Sequence, residues 1–581
     1  MGDQKKITIE EPIPYPGLTR ESDLIPELIS NSRKSLRVWM YKRNVPCVWL
    51  VFLGGTGTGK STLFNALCGR VLSETGVERP KTAGPIAYAH AACPVEKAFP
   101  FPDIPPTRIG VASEGFKPAE GLAGRLLVLD HDEKAWSDVV LVDTPDLDSV
   151  EPENRRMAED LYLLSDSVLF VTSQEKYADE VPSLFLGRIL ADGRPYQFIL
   201  NKADPSATKG EVLSALRAQN MPVSEDRVRL IPHMTGEVLK RILNHPEFRD
   251  LADLLSKEFS KAETSKVHLR SLKRQKEECE NTLARLIDIL QKEKIEAAAW
   301  LSGLRNLSQS ASGELIREQR DRFTQRSGDY LRRETRRLFA RYDLLGRPRQ
   351  VIKQALLAPL RFFGLVEEEP VDPKKSALQK VREKIDLTSI QTALQKLNRL
   401  VLEKLSPASG ESSPLFRELR KPELALSDEE IKKFLWEEQD KLDRWLEETF
   451  DSLAKGLPPI KKWGIYTTSA LWGILVIAFE VIVGGGFSLL DAALDSALAP
   501  FVTKGAAELF AYNEIRKIAR QLADRYKEGL VSIITRQERR YERCLYALLP
   551  SQEVLDLLND TRSRVRKNED PYEAAPGRPT R

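Results

Sequence analysis

Gly54-Gly55-Thr56-Gly57-Thr58-Gly59-Lys60-Ser61 lies between an apolar run and a stretch of helical patterning, and it fills every specified position of the phosphate-binding loop G-x-x-x-x-G-K-S/T. Glycines let successive backbone N–H groups turn inward on phosphate oxygens, and the helix that follows offers its positive end. Lys60 is expected to bridge the β- and γ-phosphates, with Ser61 on a Mg²⁺ ion and Thr62 beside it at the nucleotide. A second acid, Asp143, ends the run Val139-Val140-Leu141-Val142 and can hold the same metal through water. Thr82, in Arg79-Pro80-Lys81-Thr82-Ala83-Gly84-Pro85, stands where a loop hydroxyl can close on the metal and relax when the γ-phosphate leaves. Ser61, Thr82 and Asp143 are therefore the expected metal set.

Farther along, Asn201-Lys202-Ala203-Asp204 follows another apolar run. The Asp204 carboxylate can accept from guanine N1–H and the N2 amino group together, a donor pair that adenine lacks. Asn201 suits the acceptor edge of the same base, and the aliphatic stem of Lys202 can lie over its face. The expected ligands are thus GTP or GDP with Mg²⁺.

Such groups need a scaffold that brings them together. Short apolar runs at Val48–Leu53, Leu126–Leu129, Val139–Val142, Ser167–Val171, Gln197–Leu200 and Arg229–Ile231 alternate with helical stretches, the pattern of a mainly parallel sheet with flanking helices. Ligands on such sheets sit at the C-terminal strand ends, where the motifs fall. The predicted organisation has an N-terminal segment and leading helix over 1–44, the α/β P-loop domain over 45–256, and a helical bundle over 257–460. An apolar hairpin follows over 461–504, then a returning bundle helix over 505–550 and a polar, disordered tail over 551–581. The fold class expected is an α/β P-loop domain joined to an extended all-α stalk.

Composition narrows the remaining choices. Lys plus Arg number 88 against 85 Asp plus Glu, so a net charge of +3 over 581 residues gives no reason to expect nucleic acid as a partner. The chain is also longer than one hydrophobic core supports. Five scattered cysteines (Cys47, Cys68, Cys93, Cys279, Cys544) have neither disulfide-scaffold nor metal-ligand spacing, which suits a reducing cytoplasm and assigns them no chemistry. Charged residues near Met1 argue against export of this end, so a cytoplasmic location is expected.

The order of these motifs resembles that of the translation-factor-related GTPases, and several details resemble the bacterial dynamin-like branch. Those details are the long interval from Thr82 to Asp143, the helix before the first strand, Asp143-Thr144-Pro145-Asp146-Leu147-Asp148-Ser149, and Tyr177-Ala178-Asp179-Glu180-Val181-Pro182. The resemblance covers residues 45–240 closely. It implies a GTPase whose nucleotide state moves a helical stalk at a membrane, with membrane lipid and a second copy joined through the G domain as further partners. Two departures stand out. Asp146 occupies the place of a glycine whose N–H meets the γ-phosphate, and Leu147 the place of a water-orienting glutamine, while the serine that dynamins use instead corresponds to Gly57. No catalytic side chain is therefore assigned, and hydrolysis is expected to be slow without dimerisation or a partner.

Residues 463–490 are almost free of charge, with Lys461 and Lys462 before them and Glu480 and Gly484-Gly485-Gly486 within. Three arrangements suit this composition: a paddle entering one leaflet, a full span, or a core hairpin of the bundle. Arg347–Leu365 mixes apolar and basic residues as an interfacial or a bundle helix does. The alternative to a membrane-coupled GTPase is a nucleotide-gated module that binds a partner or the ribosome.

Overall fold

In the strand that leads to the phosphate loop, Val48, Leu50 and Phe52 alternate with Trp49, Val51 and Leu53. Because all of β1 (Val48–Gly54) is buried, each set faces its own apolar layer. This is seen in a computed structural model that describes residues 11–75, 84–110, 117–149, 151–173, 180–341, 387–455 and 506–569. Chain contacts divide it into two units, residues 1–12, 24–288 and 552–581 forming one and 13–23 with 289–551 the other.

The first unit is built on one eight-stranded sheet in the order β3-β4-β2-β5-β1-β6-β7-β8. Its other strands are β2 (Ile86–His90), β3 (Pro106–Gly110), β4 (Leu126–His131), β5 (Val139–Asp143), β6 (Ser167–Ser173), β7 (Tyr196–Ala203) and β8 (Val228–Pro232). Among the described residues, the β2–β5 pair of this sheet is antiparallel and its other strand pairs are parallel. The sequence pattern missed β2 and β3. The second is a half-exposed edge strand that opens on Pro106 and carries Arg108, so it has no continuous apolar run.

Helices cover both faces. In chain order they are α1 (Ile25–Asn44), α2 (Lys60–Leu67), α3 (Pro152–Leu164), α4 (Glu180–Ala191), α5 (Lys209–Ala218), α6 (Val238–Asn244), α7 (Pro246–Glu258) and the start of α8 (Lys261–Arg341). Val48, Leu50 and Phe52 pack with Leu63 and Phe64 of α2 and Leu251 and Leu255 of α7. Trp49, Val51 and Leu53 pack with Val38 of α1 and Met157 and Leu161 of α3. At the sheet's N-terminal edge, Lys42 Nζ pairs with Asp166 Oδ1 at 2.5 Å, both side chains 0% exposed, and Asp166 Oδ2 accepts from Trp49 N at 2.6 Å.

Three expectations change. The predicted domain end at 256 is too early: the first turns of α8 belong to this unit, with Gln275 Nε2 donating to Leu163 O at 2.8 Å and Arg194 pairing with Glu278. A change to charged helical composition marked a new element, not a new core. The tail expected to be disordered from 551 instead forms a helix (Gln552–Lys567) whose Leu555, Leu558 and Val565 are buried in a 3.6-residue pattern. Cys47 and Cys93, expected to be inert, form a disulfide with Cα atoms 6.7 Å apart. Their separation of 46 residues hid a proximity that the sheet creates.

The second unit is helical. The rest of α8 packs with α9 (Thr388–Lys404), α10 (Pro414–Leu419), α11 (Asp428–Lys455) and α12 (Ala506–Leu548); the helix over Gln552–Lys567 is α13. Trp300, Leu304, Leu397, Val401, Ile533 and Leu545 form its centre. The segment Ile13–Asp23 is tied in by Glu293, whose carboxylate accepts from Gly17 N and Leu18 N at 2.8 Å and Thr19 N at 2.6 Å. Thr82, the apolar stretch 463–490 and the 347–365 segment lie outside the described residues. Among the described residues, no helix is long and apolar enough to cross a membrane.

Candidate functional site

Parallel pairing puts the motifs on one edge. Phe52 is level with Asp143, Gly54 with Val171 and Ser173 with Asn201, so the ends of β1, β5 and β7 open side by side. Gly54 turns the chain there because a Cβ would sit 1.9 Å from Val171 O. Gly59 closes the loop at φ +92°, where a Cβ would lie 2.2 Å from Asn201 Nδ2. The loop then runs into the N-terminus of α2, whose first residues are Lys60, Ser61 and Thr62.

Lys60 is buried, and its ammonium reaches back over the loop. Nζ donates to Gly54 O and Gly55 O at 3.1 Å each and to Asp146 Oδ1 at 2.5 Å. Thr58, fully buried, donates from Oγ1 to Gly55 O at 2.9 Å and so braces the turn from within. Thr56 meets a second carboxylate: its N–H and its Oγ1 both donate to Asp148 Oδ1 at 2.6 Å. Between the two aspartates, Leu147 N donates to Gly54 O at 3.2 Å while its side chain sits in the apolar core, 1% exposed. A leucine so buried orients no water.

Asp143 is 0% exposed. Ser73 Oγ donates to its Oδ2 at 2.8 Å, whereas Oδ1 is buried without a hydrogen-bond partner. Burial pushes this carboxyl above its usual range, against the opposing pull of the Lys60 ammonium and the Ser61 and Ser73 hydroxyls. A buried carboxylate oxygen without a donor, next to a serine hydroxyl, is a donor set that fits a hard cation. Ser73 was not anticipated, since a lone serine beyond α2 has no sequence signature; the contact arises from Asn65, whose side chain accepts from Leu72 N and Ser73 N and folds that segment over β5.

The base motif is joined to the phosphate loop directly. Asn201 Nδ2 donates to Thr58 O at 2.8 Å, and Lys202 Nζ to Gly57 O at 2.8 Å. Lys202 takes φ +57°, and the β7–β8 register shifts between Asn201 and Ala203, a local irregularity that ends the strand and turns Asp204 outward. Asp204 is exposed; the hydroxyl and N–H of Ser206 donate to its Oδ1 and hold its carboxyl below the usual range. The turn after β8 lies alongside, with His233 N donating to Ala203 O at 3.3 Å.

The structure thus brings Gly54 to Thr62, Asp143, Asn201, Lys202 and Asp204 to one edge and adds Ser73, Asp146 and Asp148. This fold and site define a P-loop nucleotide-binding domain of the GTPase class. Residues 50–202 match the family model described as 50S ribosome-binding GTPase. The chain therefore carries a GTPase domain, which binds guanine nucleotide and hydrolyses GTP. No curated protein sequence matches the chain. It is similar to two solved chains described as an oligomerised bacterial dynamin pair in long-range sensing and tethering of membranes. One is 13% identical, covering 98% of this chain and 94% of that one at a TM-score of 0.33. The other is 14% identical, covering 97% and 92% at the same TM-score of 0.33.

Proposed function

We propose that the domain holds GTP with its phosphates on Gly54 to Thr62 and its base at Asn201, Lys202 and Asp204, and that hydrolysis drives a helical region at a membrane. The observation that carries the nucleotide assignment is the direct coupling of Asn201 to Thr58, which makes the base motif and the phosphate loop one rigid edge. Lys60 meets the β- and γ-phosphates as a point charge, and Asp204 selects guanine through its N1 and N2 donors. Mg²⁺ would be held by Ser61 and, through water, by the free oxygen of Asp143, with Thr82 as the third protein group. When bound, it supplies charge neutralisation on the transferred phosphoryl group. Leu147 is buried and Gly57 has no side chain, so a partner or a second copy supplies what positions water. Single-turnover hydrolysis should accelerate as protein concentration rises; a constant rate counts against activation by dimerisation.

Membrane coupling is supported by the dynamin-like order of motifs and by the nearly uncharged stretch 463–490. Liposome flotation tests it: lipid association should disappear when Ile474, Leu475, Val476 and Ile477 are made polar. A second reading rests on the description of the matched family, a partner-gated GTPase that meets the ribosome. Co-sedimentation with the large ribosomal subunit in the presence of a GTP analogue, and no flotation, favours that one.

A further inference from the structure

An ammonium has three N–H donors. Those of Lys60 are all engaged, two by backbone carbonyls of its own loop and the third by Asp146. The carbonyls of Gly54 and Gly55 are fixed by β1 and the turn, so a phosphate oxygen can approach the ammonium most readily by taking the place of the carboxylate. Asp148, two residues on, also binds the phosphate loop, accepting from the N–H and the hydroxyl of Thr56. Leu147, anchored by its N–H on Gly54 O and by its buried side chain, fixes the loop between the two acids so that both carboxylates face the phosphate loop. Thr144 Oγ1, donating to Phe52 O at 2.6 Å, holds the other end.

We infer that Asp146 and Asp148 form a carboxylate clasp on the phosphate loop, and that Asp146 sets the discrimination between nucleoside triphosphate and diphosphate. This rests on the GTPase reading above and deepens it. Where a glycine N–H would attract the γ-phosphate, Asp146 competes with it for Lys60 and repels it. The Asp146 side chain is 24% exposed, so it has room to swing into solvent when displaced. Displacement is then the signal. A triphosphate brings more negative charge to the ammonium than a diphosphate and expels the carboxylate more completely, and the freed residues lead within a few positions into α3. The sensor works by expulsion of an acid rather than by capture of a phosphate.

The test is fluorescence titration of full-length protein with labelled GDP and a labelled non-hydrolysable GTP analogue at fixed magnesium and salt, with far-ultraviolet circular dichroism as the check of folding. Asp146→Asn keeps the shape and removes the charge. It should bind the triphosphate analogue about fivefold tighter, the size of one partly exposed ion pair, and GDP with a smaller gain. Asp146→Glu restores the charge and should restore the wild-type ratio. Unchanged or weaker binding of the analogue by Asp146→Asn, or an equal gain for both nucleotides, overturns the inference. Asp146→Ser makes the same comparison if the asparagine chain does not fold. Lys60→Ala separates the two levels: if wild type binds neither nucleotide, or Lys60→Ala binds both as wild type does, the assignment of the site fails. If wild type binds, Lys60→Ala does not, and Asp146→Asn matches wild type, only the clasp fails.

Discussion

Two of the lysine–aspartate pairs in the α/β unit, each 2.5 Å long, lie at opposite strand ends of one sheet. Lys42–Asp166 is 0% exposed on both sides, and the second oxygen of Asp166 is committed to the Trp49 N–H. Lys60–Asp146 is 4% and 24% exposed, and its acid sits on a loop. The chemistry is identical and the consequences differ. A charge pair sealed from water cannot exchange partners without exposing a bare ion to a low dielectric, so it serves as a fixed strut between α1, β1 and the start of β6. A pair at the mouth of an anion site is stable only until a stronger anion arrives. Burial, not bond length, separates a strut from a switch.

Substitutions at each pair sharpen that contrast. The largest effect is expected for Lys42→Met, which leaves Asp166 buried without its cation and should lower unfolding stability by about 3 to 5 kcal/mol; a urea transition close to wild type would place both pairs in one class. Its pH dependence has a definite sign. Burial lowers the Lys42 ammonium from 10.5 to about 8, so between those values the unfolded chain holds more protons and stability gains from each rise in pH. The difference in stability between wild type and Lys42→Met should therefore grow from pH 8 toward pH 10.

At the other edge, Lys60→Ala should leave the urea midpoint nearly unchanged and weaken GTP binding about a hundredfold, the loss of one charged contact to phosphate. A large stability loss there, with nucleotide affinity intact, reverses the contrast. Asp204→Asn comes next. It should weaken guanine nucleotide by about tenfold and improve xanthine nucleotide, seen by competition against a fluorescent guanine ligand, because the amide offers a donor where the carboxylate only accepted. The smallest effect is expected at Thr208→Ala. Thr208 caps α5 in a reciprocal box with Glu211 just after the base motif, so its loss should relax that loop and weaken guanine binding by about threefold or less in the same assay.

Much of the site was legible before the fold. Gly54 to Ser61, Asp143 and Asn201 to Asp204 are short, local patterns of the kind proposed above to meet a triphosphate, a metal and a purine edge, and six of the strands announced themselves as apolar runs. β2 and β3 did not, because Ile86-Ala87-Tyr88-Ala89 carries two alanines, weak strand formers, and β3 is a half-exposed edge with a proline and an arginine. The acids on the phosphate loop were visible only as a departure at Asp146. Their partners are 86 and 92 residues away, and no spacing rule joins Asp146 to Lys60 or Asp148 to Thr56.

The amino-acid order by itself fixed the ligand class, since residue types within a few positions of one another decide which phosphate and which base a loop can accept. It also fixed the alternation of strands and helices, because hydrophobic period is a local property. Tertiary structure alone decided that Cys47 meets Cys93, that Ser73 completes Asp143, that α13 returns to the α/β unit, and that two similar ion pairs have different fates. Those outcomes depend on which distant residues share a dielectric and which remain open to water, quantities that exist only once the chain has packed.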